Sequence, residues 1–189
     1  MKTMNSLASC AFTAIFGALL LTAAPTLGQD AAPAQPPQKK FGFYAGYAFL
    51  HTDDGNLNGV RVSPEYRVKG PLSVVGDFSA EFGKLADTDT ILFTFMGGLR
   101  AKKSFGTTAI YVHGLAGGVR TSSSITPFQG VSISVSDTGL GLDGGGGIEF
   151  KLSKVRMRLG ADYLRHEVDT GGGKTENVGD IRATVGFVF

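Results

Sequence analysis

Fourteen charged residues recur at alternate places along this chain, and their spacing is the first hint of chemistry. Arg61, Glu65 and Arg67 alternate with Val60, Val62, Pro64, Tyr66 and Val68. Asp77 and Glu81 alternate with Val74, Phe78 and Phe82, and Arg100 opposes Ile91, Phe93, Phe95 and Leu99. Asp143, Glu149 and Lys151 oppose Leu140, Leu142, Ile148, Phe150 and Leu152. Arg156, Arg158 and Asp162 oppose Val155, Met157, Leu159, Ala161 and Tyr163, and Asp180 and Arg182 oppose Ile181, Ala183, Val185, Phe187 and Phe189. Seven are cations and seven are carboxylates. An unpaired buried charge costs several kcal/mol, so if these side chains share one enclosed space they must pair into networks across neighbouring strands.

Histidine offers a second chemistry. His51 lies close in sequence to Asp53 and Asp54, and His166 to Glu167 and Asp169. A histidine oriented by a carboxylate can serve as base for a serine nucleophile. No serine sits beside either histidine at a suggestive spacing. A metal site over His166–Asp169 is weak as well, because successive residues of a strand point in opposite directions. His113 is expected inside the fold as a neutral hydrogen-bonding residue. No cofactor or metal is expected.

The elements that must position these residues are strands. Period-two alternation marks eight segments: 41–50, 59–68, 72–82, 90–101, 108–119, 139–152, 155–164 and 178–189. The glycines of 108–119 blur its two faces, which stay unassigned. Each segment approaches the ~9–11 residues that cross a bilayer when tilted. Short connections (69–71, 102–106, 153–154) alternate with longer ones (51–58, 83–89, 120–137, 165–177) that are rich in Ser, Thr, Gly and Asp. The expected fold is all-β: an eight-stranded antiparallel up-and-down transmembrane barrel with both termini at the short-turn, periplasmic rim.

Composition agrees. Of 189 residues 42% are hydrophobic and 18% charged, and nothing after the N-terminus approaches the ~20 apolar residues of a membrane helix. Glycine, at 28 residues, is roughly twice as common as usual and has no collagen-like period, which argues against long helices. A formal charge of +2 without a basic stripe interleaved with aromatics gives no signal for nucleic acid.

Residues 1–28 read as a signal peptide, with Lys2, an apolar run from Ala11 to Ala24, and small residues before a cleavage site at Thr26-Leu27-Gly28. Cys10, the single cysteine, falls inside it, so no disulfide is expected in the exported chain. Residues 29–40, rich in Ala, Pro and Gln, read as a disordered leader, and 41–189 as the barrel.

Period two does not say which face is inside, since a water-soluble barrel shows the same alternation. Glycines on the charged face (Gly42, Gly46, Gly59, Gly145, Gly147) suit a crowded interior better than a wet surface. The ending on Phe187 and Phe189 suits a strand that faces lipid. Phe43, Tyr47, Tyr66, Phe78, Phe93, Phe95, Phe150, Tyr163, Phe187 and Phe189 are therefore expected to face lipid.

Three stretches, Tyr44-Ala45-Gly46-Tyr47-Ala48-Phe49-Leu50, Val75-Gly76-Asp77-Phe78 and Arg158-Leu159-Gly160-Ala161-Asp162-Tyr163, together with the terminal phenylalanine, carry a family likeness. In their order and spacing the chain resembles the OmpA-like eight-stranded outer-membrane barrels over nearly all of 41–189. Thr184 stands where that family's assembly signal usually has glycine, and no peptidoglycan-binding domain follows. The resemblance implies residence in the outer membrane of a Gram-negative-type bacterium, in contact with its lipid. It also implies delivery by periplasmic chaperones and insertion by the barrel assembly machinery.

Eight strands enclose a space that side chains fill. The leading expectation is a structural or surface-interaction barrel plugged by its charge network, with the 120–137 loop as the place for an extracellular ligand. The alternative is a narrow ion or small-solute channel. A third reading is a lipid-modifying enzyme, because lipid A deacylases and palmitoyltransferases are small outer-membrane barrels that use His, Ser and acidic residues at the outer rim. The expectation is that this chain is not an enzyme.

Overall fold

Alternating side chains on a twisted sheet bury one face only if the sheet packs on another layer or closes on itself, and this chain closes. The computed structural model describes residues 40–86, 88–128, 131–169 and 175–189. The segments expected to be a signal peptide and a leader, apart from Lys40, lie outside them. Eight strands follow in order: β1 (Phe41–Thr52), β2 (Gly55–Lys69), β3 (Leu72–Leu85), β4 (Thr88–Phe105), β5 (Thr108–Phe128), β6 (Val131–Leu152), β7 (Val155–Asp169) and β8 (Thr175–Val188). Each pairs antiparallel with its sequence neighbours, and β1 pairs with β8 to close the barrel.

The strands are longer than alternation alone suggests. Three of the four expected long loops have become ladder up to two-residue connections at 53–54, 86–87 and 129–130. Polar Ser, Thr and Asn residues read as loop, yet they are accommodated in the ladder, because strand preference follows environment more than residue type. The expected 120–137 loop is the clearest correction. Its ladder runs from Thr108↔Phe150 to Phe128↔Val131, whereas β4 leaves β5 at Asp89↔Ser124 and β7 leaves β6 at Gly141↔His166. The β5–β6 hairpin therefore stands beyond its neighbours.

The outward face identifies the two rims. Apolar residues reach almost to the turns at one end: Phe41, Val68, Leu72, Phe105 and Leu152 are all exposed within three residues of a turn or of the first strand's start. At the other end the outward positions become polar well before the strands finish, with His51, Asn56, Lys84, Asp89, Arg120, Arg165 and Glu167 exposed or partly exposed. An apolar band flush with one rim and short of the other is the pattern of an outer-membrane barrel, and it makes the rim of the tight turns at 70–71, 106–107 and 153–154 the periplasmic one. Those turns use left-handed backbone: Gly70 and Gly106 have φ of 56° and 59°, which costs glycine nothing, and Ser153 has 54°, which strains an L side chain.

The faces agree with the alternation. Of the ten aromatic residues expected to meet lipid, nine are exposed and Phe150 is half-buried on the same outward parity. On β5 the odd residues Ala109, Tyr111, His113, Leu115 and Val119 are buried, which fixes the strand whose faces its glycines obscured.

Candidate functional site

Inward-facing side chains from all eight strands meet in the barrel lumen and form two charge layers. In the layer nearer the tight turns, the Arg158 guanidinium donates to Glu149 Oε1 from Nη2 (2.6 Å) and Nε (3.0 Å), and to Glu65 Oε2 (3.1 Å). Arg100 donates to the same Glu65 oxygen at 2.9 Å. The Lys102 ammonium lies 3.4 Å from Glu149 and 3.6 Å from Glu65. Two tyrosine rings line this layer, with the Arg158 guanidinium 5.1 Å from the Tyr44 centroid and 4.8 Å from that of Tyr111. Planar guanidinium suits this place, because it bonds in its plane and stacks on its faces.

The second layer is built on Arg61 and Arg182. Arg61 Nε donates to both Asp77 oxygens at 2.9 Å, its Nη1 bonds Asp162, and its Nη2 lies 3.9 Å from Asp143. Arg182 lies 3.1 Å from both Glu81 and Asp143. His113 Nε2 is 3.0 Å from Asp143 and 3.2 Å from Asp162. Ser79 and Thr94 complete it, their hydroxyls 2.6 Å apart and that of Ser79 donating to Glu81 at 3.0 Å. The first layer thus sets three cations against two carboxylates and the second sets two guanidiniums and an imidazole against four carboxylates, so cations are in excess in the first layer and carboxylates in the second.

Glycine makes this density possible. A Cβ on Gly147 would stand 2.8 Å from the Tyr111 hydroxyl and closer still to the Leu159 carbonyl, so only a bare backbone leaves room for the tyrosine.

Apolar packing fills much of the remaining lumen. Leu50, Leu57, Val75, Leu92, Met96, Leu115, Val119 and Leu164 form one buried cluster, with Leu85 against it. Leu50 and Leu57 are cross-strand partners next to the β1–β2 turn, so the cluster reaches the outer mouth. Near it His166 Nδ1 lies 3.5 Å from Asp180.

Of the fourteen expected interior charges, eleven are buried. The other three occupy the last rungs before the tight turns. Lys151 is a correction: its parity is inward, but one residue from the strand end its side chain is exposed. Arg67 is half-buried, and Arg156, 31% exposed, reaches Glu149 only at 3.9 Å. Parity fixes a face; it does not fix depth. Lys102, which composition assigns to the turn rim, instead turns inward on the same parity as Arg100, and His166 is buried in the lumen rather than at a loop rim. His51 is exposed as expected, and bonds Asn56 at 2.7 Å. The alternation could also have flagged Tyr44 and Tyr111. The apolar cluster leaves no such signal, since leucines on both faces dilute the period.

His113, Asp143 and Asp162 place one possible metal-ligand atom each within 4.8 Å of one another. Arg61 and Arg182 already pair with those carboxylates, so the donor set is matched to guanidinium and poorly suited to a metal ion.

A closed eight-stranded barrel with an apolar belt outside and a paired, filled interior is an integral outer-membrane protein of the small-barrel class. The chain belongs to the outer membrane protein beta-barrel domain family, whose model matches residues 16–189. Comparison with curated proteins gives no match. Among solved structures it is similar to Neisserial surface protein A (NspA), with a TM-score of 0.62 and 20% identity over 79% of this chain and 96% of that one. It is similar to Ail, the attachment invasion locus protein of Yersinia pestis, with a TM-score of 0.54 and 21% identity over 79% and 97%. Ail is also known in complex with the heparin analogue sucrose octasulfate. A major outer membrane protein of Thermus thermophilus shares the fold at a TM-score of 0.51 and 14% identity, over 78% and 98%. At these identities the likeness is one of fold.

Proposed function

We propose that this protein is a sealed outer-membrane scaffold that acts through its outer surface, and that it neither conducts nor catalyses. The observation that carries this reading is the filled lumen. Arg158, Arg182, Glu81 and Glu149 have 2% exposure or less, and the apolar cluster lies in the same lumen and reaches its outer mouth. Ions crossing it would have to part buried ion pairs and then shed water against leucine, and both steps are costly.

The projecting β5–β6 hairpin supports a surface role. Among the described residues the β6–β7 ladder begins only at Gly141↔His166, so the Val131–Val135 stretch of β6 lies beyond it. An open strand edge is a template for an extended segment of a partner, and the alternation Val131-Ser132-Ile133-Ser134-Val135 lacks the charge and proline that usually guard one. A sulfated glycan of the kind bound by Ail fits less well, because exposed outer-rim positions carry Asp53, Asp54, Asp89, Glu167 and Glu176 against Lys84, Arg120 and Arg165. The histidines fit no hydrolase: His51 engages Asn56, His113 engages two carboxylates, and His166 faces Asp180, whereas a catalytic base needs a ring nitrogen aimed at a nucleophile. Delivery by periplasmic chaperones and insertion by the barrel assembly machinery accompany this reading.

Planar-bilayer recording of the purified, refolded protein tests it, with the Arg158→Ala variant beside it. Inserted but silent protein is the expected result. Discrete openings whose size or frequency changes in the variant would establish the narrow-channel alternative.

A further inference from the structure

The rim at the tight turns is strongly cationic. Lys40 precedes β1, Lys69 ends β2, Lys103 is near the end of β4, Lys151 is one residue from the end of β6 and Lys154 lies in the β6–β7 turn. All five are exposed, and none makes a salt bridge among the described residues. Half-buried Arg67 and Arg156 add to the ring. Among the described residues, and apart from the Phe189 carboxylate, this rim exposes no acid: its two glutamates, Glu65 and Glu149, are turned into the lumen and paired. Among the described residues the opposite rim exposes more acids than cations, so the charge of the two rims differs in sign.

The height of these lysines says what they meet. The connections beside them are only two residues long, at 70–71, 106–107 and 153–154, and cannot carry a side chain far into the periplasm. Exposed apolar residues are interleaved with the lysines down to the turns: Val68 and Leu72 around Lys69, Phe105 beyond Lys103, Leu152 beside Lys151. Lys103 lies on the outward parity of β4, with its ammonium 5.4 Å from the Phe105 ring centroid. The Lys103 ammonium, flanked by lipid-facing side chains, extends along apolar surface to the level of the phosphates, and Lys69, Lys151 and Lys154 stand exposed at the same rim beside the turns. We propose that this lysine ring binds the anionic head groups of phospholipids in the periplasmic leaflet, and so gathers phosphatidylglycerol-type lipids around one end of the barrel. A cationic side chain near an anionic bilayer is worth about fivefold in association, and several around the perimeter act on different lipids at once.

Spin-label resonance on the refolded full barrel in phosphatidylcholine vesicles measures the effect directly, through the fraction of labelled lipid immobilised at the protein. Labelled phosphatidylglycerol should be favoured about three- to fivefold over labelled phosphatidylcholine, and about 1 M salt should abolish the preference. The Lys69→Gln/Lys103→Gln/Lys151→Gln/Lys154→Gln variant should bring the ratio near one. The outer-rim variant Lys84→Gln/Arg120→Gln/Arg165→Gln should leave it intact. No preference in the parent protein, or a preference that survives the first variant, overturns the proposal. So does lysine-dependent sedimentation with purified peptidoglycan in the absence of lipid selectivity, which would make the cell wall the partner.

Discussion

Arg158→Ala is the most informative single change in the lumen. The guanidinium is 2% exposed and touches two carboxylates and two aromatic faces. Removing one partner of a buried pair costs about 3–5 kcal/mol when the other is stranded. Here the stranding is partial: Glu149 keeps Lys102 at 3.4 Å and Arg156 at 3.9 Å, and Glu65 keeps Arg100 at 2.9 Å. That places the electrostatic loss near about 3 kcal/mol, and the two cation–π contacts add roughly 1 kcal/mol or more in a dry setting. The expected total is about 4 kcal/mol. Equilibrium urea unfolding in detergent measures it by circular dichroism, since a chain with no tryptophan offers little intrinsic fluorescence. Glu149→Gln and the double variant complete a cycle whose coupling should reach about 2 kcal/mol. Lys151→Ala serves as control and should change stability by less than about 0.5 kcal/mol, because that side chain is solvated. A loss under about 1 kcal/mol for Arg158→Ala, or additive behaviour in the cycle, would refute the idea that the layer is a coupled unit.

Two other substitutions probe the outer surface and the turns. Phe95→Arg puts a charge on an outward position of β4 that is 49% exposed, and should reduce insertion into liposomes by about 2–4 kcal/mol in folding free energy; insertion equal to the parent's would mean that the position does not face lipid. Ser153→Gly relieves a left-handed backbone conformation at the β6–β7 turn and should stabilise by roughly 0.5–1 kcal/mol, read as a later urea midpoint; an unchanged midpoint would show that the strain is absorbed elsewhere.

Much of this architecture was legible before any coordinates. A strict two-residue period marks a face wherever that face is chemically uniform, and this is why Arg61, Asp77, Arg158 and Asp162 fall inside as expected. It fails where composition and geometry diverge. The serines and threonines of 121–124 look like loop, yet they continue the β5 ladder, since backbone hydrogen bonds rather than side chains extend a strand into water. Lys102 and Lys151 both carry inward parity; one bends into the lumen to meet two glutamates and the other stays in solvent, a difference of depth that no local pattern records. The leucines of the lumen were invisible for the opposite reason. Leu50, Leu57 and Leu164 are apolar residues on the face expected to be charged, and a period-two reading treats them as noise.

The seam where the sheet closes has a consequence of its own. The β1–β8 ladder is short, running from Tyr44↔Val188 to His51↔Ile181, and by backbone pairing alone it is the natural place for the cylinder to split. The bonds that best resist such a split are not in that ladder. Arg158 of β7 holds Glu65 of β2, Asp162 of β7 holds Arg61 of β2, and Arg182 of β8 holds Glu81 of β3, so three ties pass behind β1 and lash the two ends of the sheet together. Each tie joins strands that are distant in the chain, and none exists until the last strand has docked. A sheet lacking β7 and β8 leaves Glu65, Glu81 and Arg61 short of partners in a drying interior, a state penalised until closure relieves it all at once. The salt bridges that cross the lumen are in this sense also its latch: they make the final strand the step that turns an open, costly ribbon into a closed cylinder.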